Sequence, residues 1–319
     1  MTAMPEAGPN RWTNPAVILV ATDLSDLDRL MPFAIEQGSQ TDARLIMLHV
    51  LSTAEFIAAD ATGMPYYDPS TAVETASRTL ETWCNSARKR SVRCDALVRE
   101  GNAAQQIFSA ARQFQADRIL LGTRSRSKFS KLLIGSVAEQ VLRSVNIPVI
   151  TVGPEAHLQV VKQQPEAVVL HATTLREASR PSAALACKIA AGSGAKLILL
   201  HVMPHLAEMT QAGLAGGMES EAGLNLAALA ESTAQRCSAA VEPIIAHGNP
   251  AIEILSAASD RKAALIVMGC TQRSALENLT RDRTIYKVLA HARCPVMTLR
   301  EQAASTPDAQ PEILVSQEK

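Results

Sequence analysis

The sequence predicts an α/β fold of two tandem doubly wound domains, each a five-stranded, mainly parallel sheet flanked by helices. Three observations carry this. A length of 319 residues suits two domains at about 100–200 residues each. Aromatic residues make up only 3% of a chain that is 47% hydrophobic, so the core is aliphatic, as where helices cover a parallel sheet. The chain also repeats itself. Leu45-Ile46-Met47-Leu48-His49-Val50 returns as Leu197-Ile198-Leu199-Leu200-His201-Val202, and Gly101-Asn102 returns as Gly248-Asn249. Ile119-Leu120-Leu121-Gly122 returns as Ile266-Val267-Met268-Gly269, and Pro148-Val149 as Pro295-Val296. A period of about 150 residues marks a duplicated domain and not a solenoid of short repeats.

The first copy alternates strand and helix. Ala16–Thr22 is a short apolar, β-branched run, hence a buried strand. Ser25 or Asp26 can N-cap an amphipathic helix to about Gln40, with Gly38 near its end. Arg44–Val50 is a second buried strand, 53–69 a loop, Ser70–Ser91 a helix and Cys94–Arg99 a strand. A helix over Ala103–Phe114, a strand over Arg118–Gly122, a loop, a helix over Ser136–Ser144 and a strand over Val149–Gly153 complete it. Domain one is therefore 15–153 and domain two 167–300, joined by a linker at 154–166. The ends, 1–14 and 301–319, rich in Pro, Glu, Gln and Ser, are expected to be disordered tails. The fifth strand of each copy is an apolar edge, so the two copies are expected to pair within the chain. Further homodimerisation is compatible with this.

Charge and composition exclude several function classes. The 31 Lys and Arg balance 31 Asp and Glu, which disfavours nucleic-acid or anionic-membrane binding by bulk electrostatics. No apolar run approaches the roughly 18 residues of a membrane span. The six cysteines form no C-x-x-C and read as reduced, mostly buried thiols, with the cytoplasm as default compartment. His49 and His201, ending the second strand of each copy, read as core histidines. Pro204 between His201 and His205 breaks the helix that would turn both toward a metal. Gly192-Ser193-Gly194 precedes a strand instead of following one, so it reads as a helix-ending turn.

In open α/β sheets, ligands bind beyond the carboxyl ends of the strands, near the point where strand order reverses. The first copy presents Thr22-Asp23, Val50 and Leu121-Gly122 there. From Arg118 to Ala138 the chain holds no acid but has basic residues at 118, 124, 126, 128 and 131. A basic, hydroxyl-rich loop entering a helix at Gly135-Ser136 suits a phosphate, because backbone N–H groups and the helix N-terminus favour negative charge.

Four features now resemble the universal stress protein family in its tandem form: Thr22-Asp23-Leu24-Ser25, Leu48-His49-Val50, the loop from Gly122 to Gly135-Ser136, and Pro148-Val149. The resemblance implies a Rossmann-like fold and, from the G-x2-G-x9-G-(S/T) pattern of the family's nucleotide-binding branch, ATP in the first domain. Mg2+ would accompany the phosphates. It further implies that Asp23 lies by adenine or ribose, that the Val50 backbone meets adenine, and that Ser136 and Val137 hold phosphate. Thr22, Leu121, Gly122, Arg124, Ser125 and Gly135 complete the expected site. Ser125 stands where the pattern has its second glycine, placing a Cβ where backbone approaches phosphate, at a cost of ~1 kcal/mol or more. Its hydroxyl could instead donate to phosphate.

In the second copy Asp23 becomes Thr174, the second glycine becomes Gln272, and Gly135-Ser136 becomes Asp282-Arg283. That site is expected to be lost, leaving one nucleotide per chain. The sequence contains no P-loop, G-x-S-x-G or H-E-x-x-H, so a fast ATPase or kinase has little support. The leading reading is a nucleotide-dependent sensing module of the stress response with unidentified protein partners. The alternatives are a non-binding member acting through partners alone, and a weak ATP hydrolase.

Overall fold

The computed structural model describes residues 9–52, 69–123, 134–156, 167–205, 215–271 and 278–301. The first half comprises helix α1 (Pro9–Thr13), β1 (Val17–Thr22), α2 (Leu27–Thr41), β2 (Arg44–Leu51), α3 (Pro69–Arg88), β3 (Cys94–Glu100), α4 (Ala103–Gln113), β4 (Arg118–Gly122), α5 (Ser136–Ser144) and β5 (Val149–Val152). The second comprises β6 (Val168–Ala172), a single 3-10 turn at Glu177–Ser179, α6 (Arg180–Ser193), β7 (Lys196–Met203), α7 (Ala215–Arg236), β8 (Val241–His247), α8 (Pro250–Asp260), β9 (Ala263–Thr271), α9 (Asn278–His291) and β10 (Val296–Glu301).

All ten strands form one sheet in the order β3-β2-β1-β4-β5-β10-β9-β6-β7-β8. Within each half every pairing is parallel. The exception is the seam, where β5 and β10 run antiparallel with Thr151 opposite Val296, Ile150 opposite Met297 and Val149 opposite Thr298. Ile150 and Met297 are equivalent positions of the duplication, so a pseudo-twofold axis passes between them. The apolar edges expected to pair do so here. The Thr151 hydroxyl donates to the Val296 carbonyl and the Thr298 hydroxyl to the Val149 carbonyl, both at 3.3 Å.

Helices cover both faces of the sheet, which is why its strands are nearly continuous apolar runs. In β1, Val20 faces a buried layer with Leu30, Met31 and Leu80, while Leu19 faces a second with Ile107, Leu121 and Val141. Each layer continues through the second half, by Leu185, Val267 and Met297 on one face and by Ile254, Ile266 and Leu289 on the other. Each such side chain contributes roughly 1.5–3 kcal/mol on burial. In α2 the buried positions Leu27, Leu30, Met31, Ala34, Ile35 and Gly38 trace one stripe of a 3.6-residue period, with Phe33 also buried beside it. The repeated Gly-Asn pair is explained as a helix entrance. Gly101 and Gly248 take φ of +116° and +140°, a conformation favouring glycine. Asn102 and Asn249 then N-cap α4 and α8, accepting from the backbone N–H of Gln105 at 3.0 Å and of Ala251 at 3.1 Å.

The structure corrects several expectations. Residues 9–13, expected in a disordered tail, form a helical turn. Gly38 lies in the last turn of α2 as expected, where an added Cβ would lie 2.7 Å from Val92 Cγ1; the left-handed cap is Asp42. Gly194 does end α6 in the left-handed conformation, as the turn reading required. The helix expected over 70–91 stops at Arg88, and β10 extends to Glu301.

The cysteine reading is corrected too. Cys187 on α6 is joined to Cys237, just beyond α7, by a disulfide with a Cα–Cα distance of 6.3 Å. Cys84, Cys94 and Cys294 are buried thiols outside it. The cross-link closes a chain separation of 50 residues, and a loop of that length is worth about 2–4 kcal/mol. Dithiothreitol is expected to lower the urea midpoint accordingly, and the Cys187→Ser/Cys237→Ser double variant should lose the response to reductant.

Candidate functional site

At the strand-order reversal between β1 and β4, the chain leaves β1 through a strained turn. Leu24 has φ +71°, unusual for a branched-chain residue. The turn is held from both sides: the Leu24 N–H donates to Thr22 Oγ1 at 2.9 Å, and the Ser25 N–H and hydroxyl donate to Asp23 Oδ1 at 2.9 and 2.6 Å. The second half repeats it, with Leu175 at φ +59° donating to Thr173 Oγ1 at 3.1 Å. The two strand histidines brace these turns. His49 Nδ1 lies 2.9 Å from the Thr22 carbonyl and His201 Nδ1 lies 3.0 Å from that of Thr173.

Asp26 is the N-cap residue of α2, as expected, but its side chain is used elsewhere. Its side chain makes no cap hydrogen bond to α2. It points inward and accepts the Thr22 hydroxyl at 2.6 Å. Burial pushes its carboxyl above the ordinary range, and the Thr22 hydrogen bond partly opposes that. Its other oxygen presses against Gly122, where an added Cβ would lie 1.9 Å from Asp26 Oδ2. Gly122 is thus a glycine because Asp26 occupies its side-chain space.

Above this pair opens a cleft of about 280 Å3. Eight expected site residues line it: Thr22, Asp23, Val50, Leu121, Gly122, Gly135, Ser136 and Val137. Arg124 and Ser125 lie outside the described residues. Sequence reasoning missed Asp26 as a wall and Leu48 and Ile107 as apolar floor. The Thr22-x3-Asp26 spacing is the only signal that could have found the first. Gly135 sits at the N-cap of α5, and among the described residues a Cβ there would meet nothing within 4 Å. The cleft therefore combines an apolar floor, the acceptor carboxylate of Asp23, and a helix N-terminus with an uncrowded approach. These suit a flat heterocycle, a hydroxylated sugar and an anion respectively.

The second half differs at the same place. The residues equivalent to Gly135-Ser136, Asp282-Arg283, lie inside α9, which begins at Asn278. Amides at that point belong to the helix ladder and not to a free N-terminus. The strand glycine is also plugged differently. A Cβ on Gly269 would lie 1.7 Å from Glu301 Oε1, so a carboxylate from the end of β10 takes the place that Asp26 takes in the first half.

Glu301 is 4% exposed, and burial pushes its carboxyl up from 4.5 to about 7, partly opposed by Ser182. The local hydrogen bonds agree. Ser182 Oγ lies 2.9 Å from the Ser179 carbonyl and 2.6 Å from Glu301 Oε1. One hydroxyl proton cannot serve both acceptors, and a protonated Glu301 supplies the second. With the folded pKa above the unfolded one, this group's stabilising contribution is full below about pH 4.5 and is lost as pH rises to about 7. The loss is on the order of 3 kcal/mol. Glu301→Gln is expected to flatten that decline in urea unfolding measured from pH 4.5 to 7.5; an identical pH profile for the variant would refute the assignment.

Fold and cleft together define a tandem doubly wound α/β protein with a ligand-sized opening at the strand-order reversal of its first half. The chain belongs to the universal stress protein family, whose model matches residues 16–153 and again 168–300. A universal stress protein of Methanocaldococcus jannaschii is 27% identical over 136 residues, covering 42% of this chain and 80% of its own length. A solved universal stress protein from Archaeoglobus fulgidus is 20% identical with a TM-score of 0.68, covering 89% of this chain and 96% of its own, and so shares the whole tandem fold. A shorter one from the same organism, 16% identical with a TM-score of 0.33 over 43% of this chain and 97% of its own, was solved in complex with dAMP. Among the described residues no helix is long and apolar enough to cross a membrane.

Proposed function

We propose that the first domain binds ATP or a related adenine nucleotide in the cleft at Thr22-Asp23 and Gly135-Ser136, and that the second domain keeps the fold without the site. The observation that carries this is the convergence of eight residues from four separate segments on one cleft that ends at the N-terminus of α5. On this reading adenine packs over Leu48 and Ile107 with the Val50 backbone at its edge. Asp23 accepts from a ribose hydroxyl, and the first amides of α5 with the Ser136 hydroxyl receive phosphate. Among the described residues no group of three or more His, Cys, Asp or Glu could hold a metal. Mg2+ would therefore arrive on the phosphates, as it does at sites offering few carboxylates. The protein would act as a sensing module of the stress response, its contacts with partners set by nucleotide occupancy.

Native mass spectrometry of the purified protein with added ATP tests this. One nucleotide per chain is expected. Two per chain would overturn the assignment of an inactive second domain, and none would leave the chain a partner-binding module only.

A further inference from the structure

Arg118 belongs to the basic run read from the sequence, yet the fold separates it from that loop. It opens β4, at the end of the strand away from the cleft, and is 2% exposed. Two of its N–H groups reach neutral acceptors, Gln37 Oε1 at 2.5 Å and the Trp12 carbonyl at 2.7 Å. Its Nε has no partner among the described residues. Adjacent Asp117 is committed elsewhere: Oδ2 accepts from the backbone N–H of Ala16 at 2.8 Å and Val17 at 3.2 Å, and Oδ1 pairs with Arg11 at 2.9 Å. A buried guanidinium without a carboxylate of its own is costly in a low-dielectric setting. Burial accordingly lowers its pKa to about 10, with Asp117 opposing.

This side chain lines a cavity of about 630 Å3 between the two halves, on the α2/α6 side of the seam. Lys188 of α6 contributes a second cation from the other half, and Gln37 and Gln40 of α2 add amides. Ile150 and Met297, the pair on the pseudo-twofold axis, are part of its apolar wall. None of its described lining residues is acidic.

We propose that this interdomain cavity is a second ligand site, for an organic anion with an apolar body, its charge set near Arg118 and Lys188 and its body against the seam. An anion there would add to the counter-charge that Asp117 supplies to Arg118, in a setting of low dielectric. The site draws on both halves, so its occupant would tie them together. It lies on the opposite face of the sheet from α4 and α5 and is independent of the nucleotide reading.

The test is a fluorescence titration of the full-length protein with 8-anilinonaphthalene-1-sulfonate. Saturable binding of one probe per chain is expected. Affinity should fall about tenfold or more in Lys188→Glu, and likewise in Ala191→Trp, which fills the cavity from α6. The uncharged N-phenyl-1-naphthylamine should bind at least about tenfold more weakly, and saturating ATP should not displace the sulfonate. Ser238→Trp, on a neighbouring wall, replaces Ala191→Trp if that variant does not fold. Affinity unchanged by the charge reversal and by the cavity-filling variant, equal binding of the neutral amine, or displacement by ATP would each overturn the proposal.

Discussion

Gly122→Ala is expected to lower the free energy of unfolding by about 1–3 kcal/mol, the usual range for overpacking a core. The reason is local. The new Cβ would lie 1.9 Å from Asp26 Oδ2 and 3.0 Å from its Cγ. Asp26 cannot swing aside freely, being 6% exposed and tied to Thr22. The clash must therefore shift the turn that carries Asp23, so nucleotide affinity should fall with stability. Asp26→Ala placed in the Gly122→Ala background should recover most of the loss, because it removes the group that the methyl meets. A double-mutant cycle in urea reads this coupling directly. Strict additivity of the two substitutions would show that some other contact demands the glycine.

Gly135→Asp should behave in the opposite way. Among the described residues a Cβ at Gly135 meets nothing within 4 Å, and aspartate is among the preferred N-cap residues. Stability is therefore expected to stay level or rise by a few tenths of a kcal/mol. Nucleotide binding should suffer heavily. The carboxylate would take the first amides of α5 and set negative charge against phosphate, and about a hundredfold loss of affinity is expected. Calorimetric titration with ATP alongside thermal unfolding separates the two effects. Undiminished ATP affinity in a folded variant would remove phosphate from the N-terminus of α5.

These two glycines show how far the sequence carried and where it stopped. Thr22-Asp23, Gly122 and Gly135-Ser136 stand out as residues because each sits at a strand end or helix start, which periodicity locates. The duplication likewise exposed the fold, since an aliphatic pattern repeated at domain length has few other solutions. The reason for each glycine was hidden. Gly122 is shaped by Asp26, whose position in the chain is equally that of a helix cap, and only packing decides which way the side chain turns. Glu301 plugs Gly269 from the far end of its half, a contact made by strand adjacency and invisible to local pattern. The Cys187–Cys237 bond and the isolation of Arg118 are also three-dimensional facts. Both depend on which helix faces lie together once the sheet has formed.

The antiparallel seam has a consequence for the molecule as an object. All strands within a half run the same way and the halves meet head to tail, so their carboxyl ends emerge at opposite rims of the ten-stranded sheet. The duplication has produced a two-poled body whose poles no longer match. One pole carries a cleft framed by Asp23 and Ser136; at the other, Glu301 and not a helix-start aspartate fills the space beside the strand glycine. A ligand at one pole is separated from the other by the length of the strands, so the two ends can differ in what they bind without touching.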